Sequence, residues 1–530
     1  VKLLQTLGSA FDRVVSVTNP VKAVQRAQAR RVFAVYEAAA PSKQRKVRKA
    51  NQSPNTLVGS SAAALRAQAR FLERNHDLSR GAIRTLVNNV VGPNGIGVEP
   101  QPRRMDGTIH KEYAAALREA RRDWQRCPEV TRRHSDAQMQ RLLAKTWLRD
   151  GEAFAQMLTG TVPGLDHGTR VPFSLEMFEP DMVPLDYDDP DKFIRQGMEF
   201  NNWGRCRAYW VYKSDPREQL AWLNSSASLK RISSDNVLHI AQMDRIGQAR
   251  GVSEFASVIT RGEDLKEYEE SERIAAKVAA SMTAYVKRLA ATETGYTGEG
   301  LEKDEDGHVK PRELQMEPGM IIDDLVAGEE IGMINSNRPN PNLIGWRAGQ
   351  LRAFAAGIGT SYSSLSRDYN GTYSAQRQEL VEQWVNYAVL SDDFSSAIVQ
   401  PAYDQFVIAA HLSGVVRMPA DLKPGTENDC LFVGQSMPWI NPMHEATAWE
   451  KLVQAGFASE VEVIRKRGAN PNDVLEQIST FRTTAKEKDL VFSSNAATRQ
   501  TTVSVSAVPT VQQQETADNA QGVNDNTNNQ

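Results

Sequence analysis

This sequence predicts an α+β fold, mainly α-helical, on three observations. Long stretches place apolar residues three and four positions apart, the period of a helix with one buried face. A middle section carries runs rich in β-branched and aromatic residues between turn signals. Those runs follow one another with no helix between them, so the sheets should be antiparallel. With 530 residues, 40% apolar and 24% charged, the chain can bury a large core and has ordinary globular composition, equivalent to roughly three or four average domains.

Taken in order, residues 1–60 read as a basic arm. Between Lys2 and Lys49 the only acids are Asp12 and Glu37, and the stretch closes on Lys43, Arg45, Lys46, Arg48 and Lys49. Such a run is a solvated face or a contact for phosphates or a partner. Ala64, Leu65, Ala69 and Leu72, then Ile83, Leu86, Val87, Val90 and Val91, predict two packed helices ending at Gly92-Pro93-Asn94-Gly95. A second helical block spans Tyr113 to Leu148, and strands are expected at Glu152–Met157, Val171–Leu175 and Arg207–Tyr212.

Glu263 to Ala291 contains no Gly or Pro and carries an apolar stripe at Leu265, Tyr268, Ala275, Val278, Met282, Tyr285 and Leu289. That predicts a rod about 43 Å long at 1.5 Å per residue. Its alanines suit close approach by copies of itself as well as burial within one domain. Next come a glycine-rich acidic excursion with Glu299, Glu302, Asp304, Glu305 and Asp306, and a second helix from Leu343 to Ala356 with Trp346, Leu351 and Phe354, broken by Gly357 and Gly359. Two helices joined this way form a projection that buries little by itself.

Ser361 to Ser374 is a polar loop carrying Tyr362, Arg367, Asp368, Tyr369, Asn370 and Tyr373. Helix resumes at Ala375 and should kink or stop at Pro401. Pro442 to about Lys488 is helical, with Gly456 and Gly468 between the pieces, and Ala496 to Gln530, rich in Thr, Gln and Asn, should be disordered or weakly ordered.

The 63 Lys and Arg against 65 Asp and Glu leave a net charge of −2, which excludes a nucleic-acid binder built on a global positive excess. Cys127, Cys206 and Cys430 lie far apart without a CxxC, which argues against a disulfide scaffold, a zinc ribbon or an iron–sulfur site and for a reducing place of synthesis. The first thirty residues lack a continuous apolar core, and no run of about eighteen apolar residues occurs. A soluble, non-secreted chain without a membrane partner is expected.

The eight histidines form no HxxxH or HExxH, and His239, at the end of an expected strand, reads as a structural histidine. Gly359-Thr360-Ser361-Tyr362-Ser363 lacks the second glycine of a nucleophile elbow, so Ser361 reads as a loop residue. The acid pairs Asp188-Asp189, Asp323-Asp324 and Asp392-Asp393 are the residue type that holds Mg²⁺ in a nuclease. Adjacent acids on a strand face opposite ways, however, and the pairs lie in different regions, so solvated surface is the plainer reading. No catalytic constellation, cofactor or metal is expected.

A colinear series of short segments adds to this reading: Phe71-Leu72-Glu73-Arg74-Asn75, Val87-Asn88-Asn89-Val90-Val91-Gly92, Phe178-Glu179-Pro180-Asp181, Gly197-Met198-Glu199-Phe200, Gly204-Arg205 with Ala208-Tyr209-Trp210, and His239 followed by Arg245-Ile246-Gly247-Gln248-Ala249-Arg250-Gly251. It continues through Leu351-Arg352-Ala353-Phe354-Ala355-Ala356-Gly357-Ile358-Gly359, Leu365-Ser366-Arg367-Asp368-Tyr369 and Tyr373-Ser374-Ala375-Gln376-Arg377. In this order, over residues 60 to 480, the chain resembles the portal proteins of tailed bacteriophages, lambda family. It departs from the family at Asn441-Pro442, where an acid precedes the proline, and at Ala327 before Gly328-Glu329, where proline is usual.

The resemblance implies a portal fold assembled as a homo-oligomeric ring, usually of twelve copies, at one capsid vertex of the virion, built in the host cytoplasm. Double-stranded DNA would pass through it without sequence specificity, driven by the ATPase of the terminase large subunit. Major capsid and scaffold proteins, and later neck or head–tail completion proteins, would be its other partners. It implies a wing over 61–255 and 375–443, the latter a long kinked helix and following strands. Stem helices over 256–291 and 342–359 would pack through Leu265, Tyr268, Val278, Met282, Trp346 and Leu351. A clip over 292–341 would dock partners through Glu299, Glu302, Asp304, Glu305 and Asp306. A tunnel loop over 360–374 would line the channel with Tyr362, Arg367, Asp368, Tyr369, Asn370 and Tyr373, a crown would occupy 444–494, and 495–530 would be a tail.

Charge physics agrees with a conduit: neutralising six to ten phosphates makes affinity fall about 10³–10⁵-fold between 50 and 200 mM salt, a measure of how firmly such contacts grip. A near-neutral chain in which Arg367 is offset by Asp368 suits sliding. The alternatives are a metal-dependent nuclease of a packaging system, working through Asp323 and Asp324, and an adaptor that binds a partner through residues 22–49.

Overall fold

The computed structural model describes residues 52–217, 228–280, 284–288, 329–333, 342–437 and 442–490. The acids from Glu299 to Asp306, Met282, Leu289 and Asp323-Asp324, residues 1–51 and the tail lie outside the described residues. The chain divides into two units, up to Met437 and from Pro438 onward.

In the first unit, Pro54 opens α1 (Pro54–Asn75) at a position where a helix needs no N–H, so helix begins inside the stretch read as arm. Ala62, Ala69 and Leu72 are buried while Ala64, expected in the stripe, is exposed; the charged Arg66 takes the inward face. α2 (Asp77–Val90) buries Ile83, Leu86, Val87 and Val90. After β1 (Gly97–Pro100) and α3 (Lys111–Trp124), α4 (Asp136–Asp150) starts from a reciprocal Ser135–Gln138 capping box and ends on Gly151, whose φ of 92° is left-handed.

The strands follow: β2 (Glu152–Thr159), β3 (Phe173–Phe178), β4 (Ile194–Arg195), β5 (Met198–Phe200), β6 (Cys206–Tyr212), β7 (Leu229–Ser233) and β8 (Val237–Ala241). They form sheets ordered β3-β2-β8 and β4-β5-β6-β7 with every neighbour antiparallel. His239 lies in the middle of β8, opposite Phe154, and not at a strand end.

α5 (Ile259–Ala280) is shorter than the rod expected over 263–291, because β9 (Ala284–Arg288) is a strand paired antiparallel with β10 (Glu329–Met333). Tyr285 and Val286 favour extended backbone, and the register sets Lys287 opposite Glu330 and Arg288 opposite Glu329. Lack of Gly and Pro alone does not make a helix when a complementary partner strand exists elsewhere in the chain.

α6 (Leu343–Ile358) runs through Gly357 and stops at Gly359, φ 73°. A five-residue helix, α7 (Tyr362–Ser366), occupies the stretch expected to be loop, and α8 (Tyr373–Phe394) starts two residues earlier than expected, capped by Thr372. No interruption occurs at Pro401. A π-helical turn at Ser395–Val399 precedes it and α9 (Gln400–Leu412) continues; the wider turn absorbs the proline, which lacks an N–H and crowds the turn before it. β11 (Cys430–Val433) then returns to pair with β1.

One continuous core joins α1 to α9 with β2 and β3, and a smaller one underlies the four-stranded sheet. In the main core Trp124 stacks on Phe173 at 5.5 Å and its indole N–H donates to the Phe173 carbonyl. The second unit comprises α10 (Pro442–Gln454), α11 (Glu460–Lys466) and α12 (Pro471–Glu487). Among its described residues only Pro471 and Ala485 are buried, while Met443, Phe457, Leu475 and Phe481 are mostly exposed.

Candidate functional site

Three neighbouring features carry the unusual chemistry of the first unit. The first is the α5–α6 pair. At its base Leu265, Leu351, Phe354 and Ile358 are buried. Gly262 lets Phe354 approach, and a Cβ on Gly357 would lie 2.3 Å from Val258 Cγ1, so the helices meet there only because that residue is glycine. Farther along, the Tyr268 and Trp346 rings lie 4.2 Å apart, Arg347 pairs with Glu269 and Arg261 donates to Gln350. Packing thins here: Trp346 is 39% exposed, Ile274 54% and Ile344 81%. Thus Leu265, Leu351, Tyr268 and Trp346 are brought together, Val278 lies in α5, and Met282 is outside the described residues.

The second is the segment between α6 and α8. Ser361 caps α7 by accepting from the Ser364 N–H, which corrects its reading as a plain loop residue. Leu365 is buried, and Ser363 donates twice to the Glu379 carboxylate, through its N–H and its hydroxyl. The Arg352 guanidinium lies 4.9 Å from the Tyr362 ring centre. The expected offset of Arg367 by Asp368 is not an ion pair. Asp368 instead accepts from the Tyr362 hydroxyl at 3.3 Å and the Asn370 N–H at 3.1 Å, while Arg367, left-handed at φ 59°, is exposed. Tyr369, Asn370 and Tyr373 are exposed as well.

The third feature, which sequence reading missed, is a buried charge network. Glu152 opens β2 fully buried. Its carboxylate accepts from the Arg250 Nε at 2.9 and 3.1 Å, from the Gly251 N–H at 3.0 Å and from Arg66, and lies 3.2 Å from His239 Nε2. Arg250 also donates to the carbonyls of Pro180, Val183 and Gln196. Next to it, Asp150 receives Arg70 and Arg149, and Arg70 continues to Asp181. Burial alone would raise the Glu152 carboxyl, but the guanidiniums of Arg250 and Arg66 outweigh it and hold it well below the usual carboxylate range. Asp150 is likewise lowered, Arg149 and Arg70 overcoming its burial.

Two glycines make the network possible. A Cβ on Gly251 would fall 2.0 Å from the Gly151 carbonyl oxygen, and one on Gly151 would fall 2.4 Å from the Val252 carbonyl carbon. The available sequence signals were an arginine inside an apolar helical stripe, an acid at the start of an otherwise apolar strand, and the Ala249-Arg250-Gly251 segment.

The remaining candidates disperse. His239 stacks on Phe154 and faces Glu152 and Tyr209, a structural role. Asp188 accepts the Gln196 N–H, Asp189 caps the turn at Pro190, and Asp392-Asp393 ends α8. Among the described residues no three His, Cys, Asp or Glu side chains converge as metal ligands, and no helix is long and apolar enough to cross a membrane.

Comparison with known proteins completes the picture. The chain is 22% identical over 433 residues to a probable portal protein of Halomonas phage phiHAP-1, spanning 78% of this chain and 79% of that one. To portal protein B of Escherichia phage lambda it is 21% identical over 451 residues, spanning 78% and 82%. Among solved structures, a chain from the neck of a native GTA particle computed with C12 symmetry matches at TM-score 0.40 and 13% identity, covering 78% of this chain and 99% of that one; a chain from the neck of an empty GTA particle matches at TM-score 0.38 and 12% identity, covering 78% and 94%. The family model of the phage portal protein, lambda family, matches residues 40–390, and the chain belongs to that family.

Proposed function

We propose that the chain is one subunit of a closed ring of twelve copies at a single vertex of a phage head, a head–tail connector through which double-stranded DNA is packaged and ejected. The observation that carries this reading is family membership over residues 40–390. The α5–α6 pair supports it: a projection with Ile274, Ile344 and Trp346 exposed is completed when neighbouring copies pack against it head to tail around a closed ring. In this reading α5 and α6 are the stem, residues 292–341 the clip, residues 360–374 the tunnel loop and α10 to α12 the crown. The clip acids Glu299, Glu302, Asp304, Glu305 and Asp306 dock first the terminase and later neck or tail proteins. The subunit performs no catalysis of its own; it is a passage that holds a polyanion weakly enough to let it move.

Electron microscopy of the purified protein tests this directly. Closed rings without ATPase activity are expected, and monodisperse monomers under assembly conditions would overturn it. For the loop, the buried Leu365 shows where to cut: removing 362–371 would unseat α7, whereas removing only 367–371 spares it. The shorter deletion should leave rings intact and impair DNA packaging or retention; normal packaging and retention would remove the loop from the channel.

A further inference from the structure

We propose that the groove beside the start of α1 seats the basic segment 43–49 of the N-terminal arm. The groove has a volume of about 1210 Å³ and runs between the first turn of α1, the aspartate-rich loop before β4 and the turn at Gly247–Ala249. Gln196 lines it, 4% exposed and left-handed at φ 51°. The Gln196 backbone N–H donates to Asp188 at 2.7 Å and its side-chain amide donates to the Asn55 carbonyl at 2.6 Å. Its Oε1 is buried with no hydrogen-bond partner. A buried acceptor left unpaired is destabilising, and an incoming N–H donor would satisfy it.

The charges and the rim indicate which donor. Asp186 and Asp188 line the groove with no cation at ion-pair distance among the described residues, and Arg195 is the basic side chain lining it. Phe193 lines the groove and is 58% exposed, while Trp203, 94% exposed, and Ile246, fully exposed, each precede a lining glycine in the chain, Gly204 and Gly247. An exposed aromatic lining a cleft favours a contact face. Lys and Arg suit this mixture, since their aliphatic stems lie along apolar rims while their heads reach carboxylates.

The arm supplies such residues at the right place. Residues 1–51 carry eleven Lys and Arg against Asp12 and Glu37, with Lys43, Arg45, Lys46, Arg48 and Lys49 in seven positions. The arm joins α1 at the groove itself, where Arg245 donates to the Gln52 carbonyl at 3.1 Å. At about 3.3 Å per extended residue, a segment four to ten residues before Ser53 is within reach of the groove. A tether this short gives an effective concentration on the order of millimolar, so modest contacts suffice.

Hydrogen exchange on the full-length protein at low salt tests the proposal, and it does so whether or not the chain forms rings. Amides of 43–50 should exchange about tenfold or more slowly than the same segment in an unstructured peptide. D186K/D188K should abolish that protection. The independent variant K43Q/R45Q/K46Q/R48Q/K49Q, which alters no residue of the described fold, should speed exchange in 53–59 and 185–196. Exchange of 43–50 at the free-peptide rate in the unaltered protein would overturn the proposal, as would unchanged exchange in the groove of the five-glutamine variant. Protection of 43–50 that appears only after a short DNA duplex is added would also overturn it, in favour of phosphate contact.

Discussion

The body around β2 and the paired helices α5 and α6 differ in what completes their packing. In the body the buried carboxylates Glu152 and Asp150 are answered from within the chain by Arg66, Arg250, Arg70 and Arg149. In the helix pair only the base is finished, around Leu265, Leu351 and Phe354, and the far half presents Ile274, Ile344 and Trp346 to solvent. Burying a charge is tolerable only when its partners come with it, so the body has to be self-sufficient. Apolar side chains can wait, because a neighbour can cover them later at little cost in the meantime. One region is therefore complete within the chain, and the other would be completed by its neighbours in the proposed ring.

The sharpest way to break this contrast is to strand a charge in the body. Arg250→Met leaves Glu152 with one fewer guanidinium and should destabilise the folded chain by about 3–5 kcal/mol, read as a lower denaturant midpoint. Phe354→Ala, at the finished base of the helix pair, should cost a comparable 3–5 kcal/mol or so by opening a cavity.

Two glutamates, Glu254 half-buried and Glu152 fully buried, refine the comparison through pH. Glu254 is pushed up to about 6 by burial and by the nearby Asp244, against an ordinary 4.5. Its contribution is fully present below pH 4.5 and is lost as pH rises through 6. Glu254→Gln should therefore gain about 2 kcal/mol over the unaltered chain above pH 6, the gap closing below 4.5. Glu152 has the opposite sign: its stabilisation is present above the ordinary carboxylate range and is lost as pH falls below it through the depressed value. Thermal melts from about pH 2 to about pH 8 separate the two slopes. The smallest effect on the single chain should come from Trp346→Ala, under about 1 kcal/mol at so exposed a site. The same change should visibly lower the yield of rings, and a large loss of monomer stability would erase the distinction between the two regions.

Much of the fold was legible because periodicity reports burial directly. Leu72, Ile83, Leu86, Val90, Leu351 and Phe354 sit in the core where their spacing put them. What stayed illegible depended on partners distant in sequence. Ala284–Arg288 becomes a strand because Glu329–Met333 pairs with it, and Arg66 is inward because Glu152 lies 86 positions away. The loop was half readable: its polarity and tyrosines were evident, but the short helix at Tyr362–Ser366 rests on Glu379 and on the burial of Leu365, which no local pattern announces.

The close crossing of Gly151 and Gly251 has a consequence for which substitutions this chain can accept. Two stretches a hundred residues apart touch backbone to backbone, with no room for even a methyl group on either side. In a saturation library these codons should accept almost nothing, and a replacement at one cannot be rescued by shrinking the other, since neither has anything left to give up. In this chain the two positions are locked together.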